Sequence, residues 1–407
     1  MHQNTGLKLA LVLVSGLVVI SAHAATIDAN PSNYRSRLST LQPGDILNLA
    51  AGNYSNNLPV SSLNGTAGAW IIIQGPATNP PAIFLADINN NTVEIRNSSY
   101  VAIRNLTLNG QGLDGPFGVS AGTASEPPTH HILVEGCTIT NYNGGQQTVG
   151  ISTKTPTWAW TIRRNRIINA GTGLYLGNSD GSCPFVAGTI ENNLVQNPLG
   201  YCMEIKFQNV RSAVTSMPTN ENRTVIRHNV FIKNDAASPS GDRPNMLVGG
   251  FPNSGAGSND LYEIYGNFFC HNPRESLMQA SGRVSIHDNI FVDVVGTAIR
   301  LADHDLPLKL AHVYNNTIYS AGTGISVGAL PDQEHDIFGN LLFATTSISG
   351  AGTNVHDNLS YTKANAGLYV ANPSTNPGAM DFFPLAGQCQ GTALNLSGVS
   401  GETDYSG

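Results

Sequence analysis

One phrase returns along most of this chain and restricts its fold more than any other feature. It is a polar residue, an asparagine, then three mostly apolar or β-branched residues. It reads Arg104-Asn105-Leu106-Thr107-Leu108, Arg164-Asn165-Arg166-Ile167-Ile168, His228-Asn229-Val230-Phe231 and Gly266-Asn267-Phe268-Phe269. It continues as Asp288-Asn289-Ile290-Phe291, Asn315-Asn316-Thr317-Ile318, Gly339-Asn340-Leu341-Leu342 and Asp357-Asn358-Leu359, with Glu135-Gly136-Cys137-Thr138-Ile139 and Asn192-Asn193-Leu194 as looser copies. A unit of this size cannot bury its own apolar face, so neighbouring units must stack into one continuous core. A second phrase, a small residue opening a short apolar strand, falls between copies: Gly150-Ile151, Gly173-Leu174-Tyr175-Leu176, Ala298-Ile299-Arg300-Leu301 and Gly324-Ile325-Ser326-Val327. Helical repeats would need windows of 3.6-residue periodicity, which are missing, and a propeller would show longer antiparallel blades at a steadier period. Asparagine tolerates a left-handed bend between strands, and stacked amides can hydrogen-bond from layer to layer. The pattern predicts an all-β fold, a right-handed parallel β-helix.

Charged residues are only 12% and glycines number 43, the reverse of a disordered chain. The net charge of −7 excludes a nucleic-acid partner for the molecule as a whole. At the start, Lys8, the apolar run Leu9–Val19 and Ala22-His23-Ala24 read as a secretory signal peptide over residues 1–24, cut near Ala24/Ala25. A secreted or periplasmic protein is expected. No other run is long and apolar enough to span a bilayer, so no stable membrane insertion is expected either. Residues 25–407 then form one β-helix domain, expected as a monomer. Leu38 and Leu41 sit on one face of a short helix capped by Ser32 or Asn33, a fitting lid for the open first layer. The long intervals from Asn193 to Asn229 and Asn229 to Asn267 must extrude loops, mainly within 178–260. Of the five cysteines, Cys183 with Cys202 is the expected pair, because one repeat separates them.

The candidate chemistry lies in Cys202-Met203-Glu204-Ile205-Lys206-Phe207-Gln208. Strict alternation there puts Met203, Ile205 and Phe207 on one face and Glu204, Lys206 and Gln208 on the other. Aligning equivalent strands gives an outward file of Tyr175, Glu204, Gln279 and Arg300, interrupted by Leu247. A neighbouring file holds Lys206, Gly249 and Ser281, with Gly249 and Gly250 leaving room for sugar rings. Loops add Arg211, Asp242, Arg243, Arg274 and Glu275, and Asp303-His304-Asp305 closes one side. Lysine is scarce: beyond the leader only Lys154, Lys206, Lys233, Lys309 and Lys363 remain. A long polar groove across the layers of a rod suits an extended acidic polysaccharide.

The repeat pattern resembles the pectate-lyase-like superfamily of β-helix proteins. The opening Leu41-Gln42-Pro43-Gly44-Asp45-Ile46-Leu47-Asn48-Leu49-Ala50-Ala51-Gly52-Asn53-Tyr54 is similar to the first turn of the chondroitinase B and alginate lyase family. That family carries an acidic strand residue followed shortly by a catalytic lysine, and Glu204 with Lys206 is similar; its Lys-Ser pairing is absent, since Phe207-Gln208 follow. The resemblance implies an exported lyase that cleaves a uronate polysaccharide by β-elimination. Lys206 would be the base, Glu204 the orienting group or a Ca²⁺ ligand, and Arg243 a catalytic carboxylate clamp. Tyr175, Gln208, Arg211, Gln279, Arg300 and His304 would bind substrate. Three other readings share the scaffold. A C5-epimerase would use the same proton abstraction. A non-catalytic carbohydrate-binding rod would keep its affinity without Lys206. A glycoside hydrolase would need two carboxylates across the groove, with Glu204 and Asp242 or Asp303 as the candidates. His228, His287 and His356, which precede ladder asparagines, are expected to be turn residues, and Trp158, Trp160 and Tyr142 to be packing residues.

Overall fold

A computed structural model describes residues 24–211, 214, 216–328, 335–350 and 354–390. The apolar run expected as a signal peptide lies outside the described residues, and the first strand, Thr26–Ala29, begins just beyond the expected cleavage point. The chain coils through three long sheets, and every strand pair along their lengths is parallel. Each turn of the coil visits a first sheet of fifteen strands, a second of twelve and a third of eleven, in that order. One such turn runs Thr189–Glu191, Leu194–Gln196 and Met203–Ile205. The fold is a right-handed parallel β-helix, as the repeat predicts. The short helix Tyr34–Leu38 follows the first strand, and Leu38 and Leu41 are buried beneath it as expected. Asn33 occupies its N-cap position without a side-chain capping bond.

The core is the column of inward side chains inside the coil, continuous from Leu47 through Ile162, Phe231 and Phe291 to Leu342. A parallel strand is covered on both faces only where something lies outside it. Loops cover part of the third sheet, and the segment carrying Met380 and Phe382 packs on the second.

The asparagine phrase does two jobs, but on two different residues. The left-handed bend falls on the residue before the repeated asparagine: Arg164, Asn192, His228, Asp288, Asn315 and Asp357 all have φ between +53° and +56°. Gly266 and Gly339 take the same position in their layers. The asparagine that follows turns inward and is buried. Asn165 donates from Nδ2 to Asn193 Oδ1 at 3.0 Å, Asn193 to Asn229 at 2.9 Å and Asn229 to Asn267 at 2.9 Å. The chain of amides runs on through Asn289, Asn316 and Asn340 to Asn358. Each Oδ1 also accepts the backbone N–H of the asparagine before it, as Asn267 Oδ1 does from Asn229. The bend would otherwise leave these backbone groups buried and unpaired. Cys137 takes the asparagine position at the upstream end, its N–H donating to Asn165 Oδ1 at 2.9 Å. In the copy before that, Asn105 itself adopts the bend.

The expected Cys183–Cys202 bridge does not form, and all five cysteines are free thiols. Cys202 points into the core, whereas Cys183 sits outside the coil with its sulfur 3.6 Å from Ser182 Oγ, so the two side chains belong to opposite faces. His228 is a bend residue as expected, but His287 is not. It closes a strand and stacks between Tyr265 and Tyr314 at 5.0 and 4.7 Å, and His356 likewise closes a strand and stacks on Phe338 at 5.2 Å rather than forming the turn. Trp158, Trp160 and Tyr142 are buried packing residues.

Removing a middle rung of the ladder strands several buried groups at once. Asn267→Ala is expected to cost about 3 kcal/mol, and Asn358→Ala at the half-exposed last rung about 1 kcal/mol. Denaturant midpoints of the two variants check the difference.

Candidate functional site

The outward file of the third sheet is held in register by strand pairing. Tyr175 pairs with Glu204, Glu204 with Leu247, Leu247 with Gln279, and Gln279 with Arg300. The file extends to Ser152 on one side of Tyr175 and to Ser326 beyond Arg300. This is the order expected from the sequence, Leu247 included. Loops that leave these strands pack beside the file, with Gly249 against the Phe207 backbone and Gly250 against Leu306.

At its centre Glu204 is 4% exposed, and Lys206 Nζ donates to its Oε1 at 3.0 Å. Burial pushes the Glu204 carboxyl pKa up, and the positive charges of Lys206, His304 and Arg243 partly oppose this. Lys206 therefore pairs directly with a buried carboxylate, and Arg243 and His304 lie near enough to influence it. Tyr175 and Tyr201 flank it. Burial and the Glu204 charge raise the Tyr175 hydroxyl to about 12 and push Tyr201 in the same direction. Both phenols stay protonated at neutral pH and are available as donors.

Arg243 reaches the groove from the loop over 233–244. Its guanidinium lies 5.7 Å from the Tyr201 ring and donates to the carbonyls of Asp242 and Ser240 at 2.8 and 3.2 Å. This loop folds back along the rod and is pinned there. Gln146 accepts from Ser240 N–H at 2.7 Å and donates to the Gly241 carbonyl at 3.1 Å, and Ser238 Oγ donates to the Leu199 carbonyl. Lys233 donates to the Arg243 carbonyl at 3.0 Å. Further along the file, Gln279 donates to Glu275 at 2.7 Å and Arg300 is exposed. His304 stands on the rim, 3.0 Å from Asp305, while Asp303 accepts the Leu308 N–H and has a structural role.

Three expectations fail on burial. The strand ends at Ile205, so the alternation does not carry on to Gln208. Gln208 is 2% exposed and donates to the Phe185 carbonyl and to Tyr262 Oη. Arg211 is fully buried, paired with Asp260 and bonded to the carbonyls of Pro218 and Asn220, so it closes its own loop and does not meet a ligand. Gly249 and Gly250 leave no space for sugar. A Cβ on Gly249 would come within 2.3 Å of the Phe207 backbone nitrogen, and one on Gly250 within 2.5 Å of the Leu306 side chain. Their hydrogens are there for close packing of the wall on the floor.

A calcium ion takes six to eight oxygen ligands. Glu204 is instead surrounded by a lysine, an arginine and a histidine, and no group of three or more metal-binding side chains occurs among the described residues. The site does not fit a calcium ion. Tyr201 and Lys154 are groove residues that the sequence reading did not single out. The triplet Ser152-Thr153-Lys154 stands in register with Glu204-Ile205-Lys206 and was the available signal. A cavity of about 850 Å³ lies elsewhere, between the outer face of the second sheet and residues 377–389, and its lining is largely apolar, with Val230, Phe268, Ile290 and Phe383.

A family model described as "Right handed beta helix region" matches residues 149–330, the part of the coil that carries this groove. The chain is a right-handed parallel β-helix protein. Among solved structures it is similar to the GH136 lacto-N-biosidase from Eubacterium ramulus, at 11% identity and a TM-score of 0.51, over 83% of this chain and 68% of that one. It is also similar to a tailspike protein of the Acinetobacter baumannii bacteriophage Fri1, a capsular polysaccharide depolymerase, at 11% identity and a TM-score of 0.51, over 84% and 61% of the two chains. A PL6 family polysaccharide lyase from Pseudopedobacter saltans aligns at 12% identity and a TM-score of 0.49, over 83% and 93%. At such identities the likeness is one of fold. No curated protein sequence matches the chain.

The raised Glu204 pKa has a signed consequence. A carboxyl that binds its proton more tightly when folded makes stability fall as pH rises from the ordinary value of 4.5 through the folded value. Lys206→Met removes the main opposing charge and is expected to carry that loss to higher pH, whereas Glu204→Gln removes it. Melting temperatures of the three proteins between about pH 4 and pH 8 check this.

Proposed function

We propose that the protein is exported and cleaves a uronate-containing polysaccharide by β-elimination in the groove of the third sheet. One observation carries the reading: a nearly buried carboxylate, Glu204, sits in a file of outward residues with Lys206 bonded to it and the charge of Arg243 acting on it. Elimination needs the sugar carboxylate neutralised, a base for the C5 proton and an acid for the departing oxygen. Arg243 serves as the carboxylate clamp. Lys206, once neutral, takes the C5 proton. The electron pair forms the C4–C5 double bond as the C4–O bond breaks, and the Tyr201 hydroxyl protonates the leaving oxygen. Glu204 orients Lys206, and Gln279, Arg300 and His304 extend the binding face along the chain. The absence of any helix among the described residues long and apolar enough to cross a membrane is compatible with an exported protein.

The expected processing point has its own support. Ala25 N–H donates to Asp45 Oδ1 at 2.8 Å, and Asp45 is 5% exposed and also accepts from the Gln42 N–H. Cleavage before Ala25 would put a new ammonium group on that carboxylate. N-terminal sequencing of the exported protein is expected to begin at Ala25.

A second reading, carbohydrate binding without cleavage, is favoured by the 3.0 Å contact that holds Lys206 as a donor to Glu204. An ultraviolet assay on alginate, pectate and chondroitin separates the two. Elimination predicts rising absorbance from unsaturated uronate, reduced at least a thousandfold in Lys206→Ala, as expected when a general base is lost. A flat trace on these polymers with undiminished binding favours the second reading.

A further inference from the structure

The groove holds a second lysine that the elimination scheme does not use. Thr153 pairs with Leu176 and Leu176 with Ile205, so the residues that follow, Lys154, Gly177 and Lys206, occupy one file in successive layers. A Cβ on Gly177 would lie 3.3 Å from Lys206 Cβ, in keeping with that order. The bare glycine, at φ +92°, separates two lysines whose strands lie roughly 10 Å apart along the rod. The two differ in their surroundings. Lys206 is paired with Glu204, while the Lys154 ammonium lies 5.1 Å from the Phe117 ring centroid and 5.6 Å from that of Tyr175. Lys154 has no acidic partner and no hydrogen bond from Nζ among the described residues. Lys233 and Lys309, by contrast, each donate to a backbone carbonyl. Aromatic faces only partly replace the water that a half-buried ammonium has lost. Burial lowers the Lys154 pKa, so an anion placed beside it would relieve a cost already present.

We propose that Lys154, two layers from Lys206, forms with Tyr175 of the layer between them an acidic-sugar subsite of this groove, which binds the carboxylate of a sugar two units along the polymer. Strand spacing puts about one sugar on each layer of the rod. In a flat, two-fold 1,4-linked chain, alternate units turn their carboxylates to the same edge, so a chain with one unit at Lys206 and its carboxylate toward Arg243 brings the carboxylate of the unit two layers on to the same edge, at Lys154. The Tyr175 hydroxyl donates to the same sugar. The subsite rests on the acidic-polysaccharide reading of the groove but not on elimination.

Calorimetric titration with hexamannuronate, hexagalacturonate and their carboxyl-reduced forms tests it. Lys154→Met is expected to weaken hexauronate binding about tenfold, and Lys154→Arg to restore most of it. The loss should shrink above about 0.5 M salt, the carboxyl-reduced sugars should not distinguish the variants, and the melting temperature should not fall below that of the wild type. Equal hexauronate affinity in Lys154→Met and wild type would overturn the subsite, as would an equal loss on the carboxyl-reduced sugars. Wild-type protein that binds no hexauronate would remove the subsite together with the polyuronate reading. Lys154-dependent binding with no unsaturated product would remove elimination alone.

Discussion

The structure depends on a buried amide that must find partners. From Asn105 to Asp357, each coil turns from the first sheet to the second through one residue of left-handed backbone, and such a bend inside a packed column strands N–H and C=O groups away from water. The asparagine after the bend resolves this by bonding along the rod, from Asn165 to Asn358, so each layer fixes the height and rotation of the next. Identical amides in successive layers can do this only if the layers are in register. A shift by one residue would turn the inward column outward, and the ladder makes that shift costly.

The outer face of the first sheet reinforces the same register by other means. Gln74 donates to Asn48, Glu135 bridges Arg104 and Arg163, and Arg227 joins Glu191 to Tyr265. From Tyr265 onward the same file continues as stacked rings through His287, Tyr314, Phe338 and His356, spaced 4.7 to 5.2 Å apart. Charge pairing in the upstream half gives way to ring stacking in the downstream half, and both repeat at the layer spacing. The third sheet can then carry side chains chosen for other purposes, because register is secured elsewhere. Its outward file changes character in almost every layer, from Ser152 to Tyr175, Glu204, Leu247, Gln279 and Arg300. Pinning the loop of Arg243 to Gln146 extends the same stiffness to the groove wall.

Much of this is legible in the sequence because β-helix layers repeat a local pattern. The small-residue phrases align the strands, and that alignment places Tyr175, Glu204, Leu247, Gln279 and Arg300 in one file. The asparagine phrase likewise marks the ladder, although the bend belongs to the residue before it, since an inward amide and a left-handed bend are separate requirements. The errors begin where the strands end. Gln208 and Arg211 follow Glu204 and Lys206 closely, yet the chain leaves the sheet at Ile205 and folds both side chains inward. Gly249 and Gly250 look like open floor but are packed against Phe207 and Leu306, contacts made by loops from other layers. Lys154 escapes notice for a related reason: its relation to Lys206 passes through Gly177 in the layer between, and no stretch of sequence puts the two side by side.

The central claim is that the third-sheet file is the floor on which an acidic sugar chain lies. The most direct measurement is a crystal structure of the Lys206→Ala protein soaked with hexamannuronate. The account predicts sugar density running along the rod over Tyr175, Glu204 and Gln279, with one carboxylate at Arg243. Density in the cavity beside Phe268 and Phe383, or an empty groove at saturating hexamannuronate, would contradict it.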